Sequence, residues 1–453
     1  VTVSARESTA DLNGRAAVAV GALKLSNRLS RALGRGRGTV AGGRVGLALE
    51  PRLLSELARG RRVALVSGTN GKTTTTRMLV AALGGGLRPI ASNDTGANMP
   101  AGHVAALAGS PPGADAVLEV DEGYLAALIE ETAPRVVVLL NLSRDQLDRI
   151  SEVRMLAERW RMALRGLPPR SGEQGSPGTV VVANADDPLV AWAAADAPNV
   201  VWVGAGQVWR NDSVGCPACG GGIDYGALGE WRCDRCELAR PKLSAWLEES
   251  ELVTADGDRY PIEIKLPGQF NRANACMVAM AAPAMGGLEK GQSGIGGSET
   301  GLTTATALAR LATLEEVEGR FARTTRRGVD VRLLLAKNPA GWTAIFDLLE
   351  EDDQSAGPVV LSINARIADG HDPSWLWDVP FERLVGRQVV ATGDRRFDLA
   401  VRLRYAEVGW TVVADPLDAL DHAIDDSRSG NVNATMVDFV GNYTAFAELR
   451  NRL

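Results

Sequence analysis

No run of eighteen apolar residues occurs in this 453-residue chain, and no continuous apolar stretch near its beginning ends in a cleavage site. Neither a membrane span nor a signal peptide is expected, and the expected location is cytoplasmic. Histidine is scarce, with only His103, His371 and His422, and there are five cysteines. Four of the five are paired in metal spacing, which leaves Cys276 alone. A disulfide-stapled scaffold is therefore excluded, and an internal cysteine–histidine nucleophile has little to be built from. Aromatic residues make up 5% and the net charge is only −6, so the overall balance does not argue for a nucleic-acid partner.

The charge is unevenly placed. Residues 1–62 carry twelve Lys/Arg against four Asp/Glu, so the beginning is the basic end. Within it Ala16, Val20, Leu23, Leu29 and Leu33 alternate at helical spacing with Lys24, Arg28, Arg31 and Arg35. Such a helix covers a neighbouring domain or lies on an anionic membrane surface, and the pattern leaves both open.

The most informative stretch is Val63 to Met78, an apolar run that passes through Gly68-Thr69-Asn70-Gly71-Lys72-Thr73-Thr74 into a helical pattern. The glycines let backbone N–H groups turn inward, while the helix N-terminus, the Lys72 ammonium and the Thr73 hydroxyl converge on one anion. That is a nucleotide phosphate grip with a place for Mg2+. An ordinary strand-to-helix turn rarely contains Gly-Lys-Thr in this context.

From there short β-branched runs (63–67, 116–120, 136–140, 180–183, 200–203) alternate with helical stretches, the rhythm of a parallel α/β sheet. Polar clusters follow several of these runs: Glu119-Val120-Asp121-Glu122, Asn141 to Asp148, and Asn184-Ala185-Asp186-Asp187-Pro188. Each alone reads as a helix cap or a solvated turn, but together beside a phosphate loop they suit Mg2+ or its waters. Asn271 and Asn274, near a helix start, share one helix face. Cys216-x-x-Cys219 and Cys233-x-x-Cys236, thirteen residues apart, present four thiolates for a closed, structural Zn2+ site within an inserted ribbon at 205–240. Beyond residue 328 the alternating rhythm restarts as a second α/β domain, whose loop Asp369-Gly370-His371-Asp372 to Asp378 is unusually rich in carboxylates and indoles.

Taken in order, Gly-Thr-Asn-Gly-Lys-Thr-Thr, Glu119, Asn141 to Asp148, Asn-Ala-Asp-Asp-Pro and Gly268 to Asn274 resemble the central domain of the Mur ligase superfamily. Within it the chain is similar to the MurT family, on the residues 337–342 and 369–378 and on the inserted ribbon. With sixty-two residues ahead of the apolar run at Val63, no UDP-binding domain is expected before the phosphate loop. The resemblance implies a basic segment at 1–45, a central ATP-binding domain at 46–320 carrying the four-cysteine zinc ribbon, and a C-terminal α/β domain at 321–453.

It also implies an ATP-dependent carboxylate–amine ligase acting on lipid II. The D-glutamate α-carboxylate of the stem peptide becomes D-isoglutamine through an acyl phosphate, with ammonia from a GatD-like glutaminase partner and contact with the inner face of the membrane left open. By the same resemblance Lys72 and the loop 68–74 hold the phosphates, Thr73 and Glu119 hold Mg2+, Asn271 and Asn274 approach base or ribose, and Arg320 lies at the hinge. An aspartate of the second domain, Asp369 first and Asp372 second, orients the partner's histidine. Gln146 stands where many members have a histidine. Two other readings compete: an amino-acid-adding ligase of Mur or folylpolyglutamate type, and a zinc-ribbon nucleic-acid or scaffold protein. Against the latter, Arg232 and Arg235 are offset by Glu230 and Asp234.

Overall fold

The computed structural model describes residues 12–32, 39–84, 89–93, 97–144, 153–169, 178–207, 209–286, 301–314, 321–351, 357–429 and 436–453. Arg320 and the stretch Asp145 to Asp148 fall outside the described residues.

The apolar runs become strands β1 (Val63–Ser67), β2 (Ile90–Ser92), β3 (Asp115–Val120), β4 (Val136–Leu139), β5 (Val180–Asn184) and β6 (Val200–Gly204). A small ribbon follows, β7 (Ile223–Tyr225) with β8 (Trp231–Cys233), and then β9 (Ala245–Glu248), β10 (Glu251–Thr254) and β11 (Arg259–Pro261). Nine of these form one sheet in the order β11-β10-β9-β6-β5-β4-β1-β3-β2. It is parallel from β9 to β2, and the hairpin β9-β10-β11 extends it antiparallel.

Central strands are buried on both faces because helices cover both sides, as a parallel crossover sheet requires. In β1, Ala64 and Val66 join helices Lys72–Leu83 and Gln269–Met285 on one face. Val63 and Leu65 face the opposite layer, built from helices Leu53–Ala58, Pro100–Gly109, Leu125–Thr132 and Val153–Arg165. The alternation is the two-residue period of a strand.

The basic N-terminal stretch forms helices Gly14–Ala32 and Thr39–Leu49, packed on each other and on Pro100–Gly109. Ala16, Ala19 and Leu23 are fully or almost fully buried in this layer, as a covering helix demands. Among the described residues no helix is long and apolar enough to cross a membrane.

A second sheet begins at β12 (Phe321–Arg326) and continues through β13 (Val329–Leu335), β14 (Val359–Ser362), β15 (Val389–Thr392), β16 (Trp410–Val412) and β17 (Met436–Gly441). Its order is β12-β13-β17-β14-β15-β16, parallel except for β12. Arg332 and Asp438, opposite each other on β13 and β17, form a 2.6 Å ion pair with each side chain 1% exposed. A pair so buried fixes register, because a slip would strand two charges in the core. One apolar cluster runs from the β1 face through helix Gln269–Met285 to Trp342, Phe346 and Phe381 of the second domain. Apolar side chains of both domains thus belong to one cluster, and a cavity lined by both domains opens beside it.

Candidate active site

The phosphate loop lies where β1 ends, next to the switch in strand order between β3 and β4. Such a position is the usual ligand crevice of an open α/β sheet. Gly71 has φ 85°, and a Cβ added there would come within 3.1 Å of the Asn274 side chain, so only glycine fits both the turn and the close approach. The loop is fastened from the strand beside it. Asn141 Oδ1 accepts the Asn70 N–H at 2.8 Å and Asn141 Nδ2 donates to Asn70 O at 3.0 Å. Thr69 Oγ1 accepts the Ser143 N–H at 2.9 Å.

Lys72 is 3% exposed, and its ammonium donates to Gly68 O at 2.5 Å, Thr69 O at 3.2 Å and Glu122 Oε2 at 2.9 Å. Glu122 is held in turn by Trp160, whose indole N–H donates to its carbonyl at 2.9 Å. Thr73 and Thr74 occupy the first turn of the helix that Lys72 opens.

Glu119 pairs with Val66 across β1 and β3, one residue short of the loop, and is 2% exposed. Its backbone is tightly held: Asn93 Oδ1 accepts its N–H, while Asn93 Nδ2 and His103 Nε2–H donate to its carbonyl at 2.8 Å each. Among the described residues its Oε2 has no hydrogen-bond partner. A buried carboxylate oxygen without a donor is a group that a cation such as Mg2+ would satisfy. Burial pushes His103 down to about 4 despite its hydrogen bond to Glu119, so its ring is neutral at pH 7.

A cavity of about 1050 Å³ opens from this loop. Asn70, Gly71, Thr74, Asn271 and Asn274 line one side, and Phe321, Leu334 and Ile345 of the second domain line another. Asn271 is anchored by its amide, which donates to Pro267 O at 2.6 Å. Asp186 and Asp187 border the cavity, and Asp187 caps helix Pro188–Ala194 by accepting from Leu189 and Val190. Burial raises Asp187 to about 6, against donors from Leu142, Val190 and Leu189. The size suits a nucleotide, since ligand pockets run to roughly 300–1,000 Å³.

The four ribbon cysteines bring their sulfurs within 4.8 Å of one another, with Cys216–Cys236 at 3.6 Å and Cys219–Cys233 at 3.4 Å. The N–H groups of Gly221 and Arg235 point at Cys219 Sγ and Cys233 Sγ, at 3.4 and 3.3 Å. Donors aimed at sulfur suit thiolates, so the set fits a closed tetrahedral Zn2+ site.

The structure thus gathers Asn70, Gly71, Thr74, Asn271 and Asn274 on one cavity, while Gly68, Thr69, Lys72, Thr73 and Glu119 lie beside it without lining it. Asp369 and Asp372 do not line the cavity; they lie beyond β14 in the second domain. Asp369 is 6% exposed and accepts from Thr444 N–H at 2.9 Å and from the Thr444 hydroxyl. Asp372 is exposed and accepts the Ser374 N–H at 2.8 Å, a bond that holds its carboxyl below the usual carboxylate range. Cys276 is buried in the core with its thiol pushed up to about 12, so it offers no thiolate at neutral pH. Glu122 was legible only as one carboxylate of a cluster; its pairing with Lys72 joins residues with no sequence signal between them.

Residues 66–282 match the Mur ligase middle domain, and residues 335–446 match the MurT ligase C-terminal domain. The chain is similar to the lipid II isoglutaminyl synthase (glutamine-hydrolyzing) subunit MurT of Staphylococcus aureus (strain COL), 29% identical over 86% of this chain and 88% of that one. It is also similar to the subunit of that name from Streptococcus pneumoniae (strain ATCC BAA-255 / R6), 28% identical over 82% of each. Its fold resembles the MurF ligase of Thermotoga maritima, solved in complex with ADP, with a TM-score of 0.57 and 16% identity over 90% of this chain and 85% of that one.

Proposed function

We propose that this chain, a Mur ligase-type protein whose middle domain is joined to a MurT C-terminal domain, is the synthetase subunit that amidates the D-glutamate α-carboxylate of lipid II. The observation that carries the reading is the union in one chain of a fastened phosphate loop, with its orphan carboxylate at Glu119, and a C-terminal domain of MurT type.

The chemistry proceeds in two balanced steps. A carboxylate oxygen attacks the γ-phosphorus of ATP and ADP leaves, giving an acyl phosphate. Ammonia then adds at the acyl carbon, inorganic phosphate departs, and the nitrogen loses a proton to give the amide. Activation is needed because a carboxylate oxygen is a poor leaving group and phosphate a good one. The protein's part is positioning and charge neutralisation.

Lys72 exchanges Glu122 for phosphate oxygens, and the backbone of 68–74 cradles the same anion. Glu119 and Thr73 hold Mg2+, which supplies charge neutralisation on the transferring phosphoryl group when bound. Asn271 and Asn274 meet the nucleoside, and Arg320 serves the hinge between the domains. Zn2+ in the ribbon is structural, because four thiolates leave no open position.

Ammonia comes from a GatD-like glutaminase partner, since the one cysteine outside the ribbon is buried and protonated. Of the two candidate aspartates, Asp372 is the better placed to orient a histidine of that partner. It is exposed, whereas Asp369 is spent on fixing Thr444. The subunit works at the cytoplasmic face, where a lipid-linked substrate is presented. The test is ADP formation by the purified chain sustained over many turnovers: it should require both lipid II and ammonium ions, and sustained release that ignores either one would reject the reading.

A further inference from the structure

The cavity has a third wall, supplied by the ribbon inserted in the first domain. Its far side is lined by Trp209, Leu228, Gly229, Glu230 and Arg240, all of the inserted ribbon. We propose that the turn 226–230 is the wall against which the nucleoside end of the nucleotide packs, so that metal loading of the ribbon sets nucleotide affinity as well as stability. This rests on the nucleotide reading of the cavity.

Four observations support it. First, the ribbon is bolted to the sheet beside the site: the Trp231 indole N–H donates to Ala185 O at 2.9 Å, and Trp231 is 3% exposed. Second, Arg240 ties the turn to the rim of the cavity. Its guanidinium lies 2.5 Å from Asp186 Oδ1 and donates to Leu228 O at 3.1 Å, while its own backbone N–H donates to Trp231 O at 2.9 Å. Third, the turn is shaped for close approach. Gly229 has φ 78°, and a Cβ there would lie 3.1 Å from the Arg240 guanidinium and 3.2 Å from Asp186. Fourth, Leu228 is 93% exposed at the cavity edge, an apolar side chain that a flat apolar ligand would cover.

The path from metal to ligand is short. Cys233 ends β8, Trp231 begins it, and Arg240 is hydrogen-bonded both to that strand and to Leu228. Loss of the metal frees β8, and the wall goes with it. The phosphate loop has its own fastening through Asn141 and Ser143, so the phosphate end should be indifferent.

The experiment is calorimetric titration of Mg·ADP and, separately, of tripolyphosphate into the full chain. The proteins compared are the zinc-loaded wild type, the zinc-stripped wild type, Arg240→Ala and Trp209→Ala. Trp209→Ala keeps the test alive if Arg240→Ala, which unpairs the buried Asp186, fails to fold. ADP affinity should fall about tenfold in the stripped protein and in each variant, while tripolyphosphate binds within about twofold of wild type. Unchanged ADP affinity would overturn the ribbon's role. So would equal loss of both ligands, because it would mark collapse of the whole site. A loaded wild type that binds neither ligand would overturn the nucleotide reading itself.

Discussion

Lys72 and Glu122 form an ion pair with 3% and 7% side-chain exposure. Replacing Lys72 by Met would leave the Glu122 carboxylate buried without its counter-charge. Breaking such a pair from one side costs about 3–5 kcal/mol, whereas replacing both partners by neutral groups of similar shape costs far less. Lys72→Met should therefore destabilise the first domain by about that amount in urea titrations without nucleotide. Adding Glu122→Gln should restore most of the loss. Activity should behave differently: ammonia-driven amidation is abolished in the single variant and stays abolished in the double, because nothing replaces the ammonium at the phosphates. A single variant as stable as wild type, or a double variant that regains activity, would refute this account of the pair.

The other predictions concern protons, metal and partner. His103 sits at about 4 when folded against an ordinary 6.5, so the unfolded chain binds more protons between those values, and its contribution is lost as pH falls through that window. The gap is worth about 3 kcal/mol. Because Asp187, raised to about 6, tilts stability the other way over much of the same range, the readout is the difference between wild type and His103→Gln. That difference should grow by about 3 kcal/mol from pH 4 to pH 7, and a flat one would contradict the buried neutral ring. Cys216→Ser should lose bound zinc, measured by emission spectrometry, and melt earlier; unchanged melting would remove the structural metal. Asp372→Asn should spare amidation driven by ammonium salt and abolish amidation driven by glutamine through the partner. Asp369→Asn should instead lower stability by about 1–3 kcal/mol, through the contacts with Thr444.

What could be read from the sequence was whatever depends on local pattern. β1 spans Val63–Ser67, as its apolar run indicated, and four cysteines at knuckle spacing do converge. β17 runs on to Gly441, past its apolar run, because the ladder with Leu335 and Ser362 continues there regardless of side chain. The hairpin of β9, β10 and β11 gave no signal: its strands are three or four residues long and half exposed, and Glu248 faces Glu251. In the site, the loop was legible because its residues are consecutive. Lys72 with Glu122 and Asp186 with Arg240 were not, since each pair is joined only by the folded sheet. On sequence alone Asp369 comes ahead of Asp372 in the same loop, and no pattern there shows that the first is buried and the second exposed.

The most direct test of the central claim is the mass of the product made from lipid II, ATP and ammonium salt by the purified chain. Conversion of one carboxylate hydroxyl to an amide NH2, located by fragmentation on the α-carboxyl of D-glutamate, is the predicted result. A product heavier by an amino-acid residue when amino acids are supplied, with no amide formed from ammonium, would instead make this an amino-acid-adding ligase.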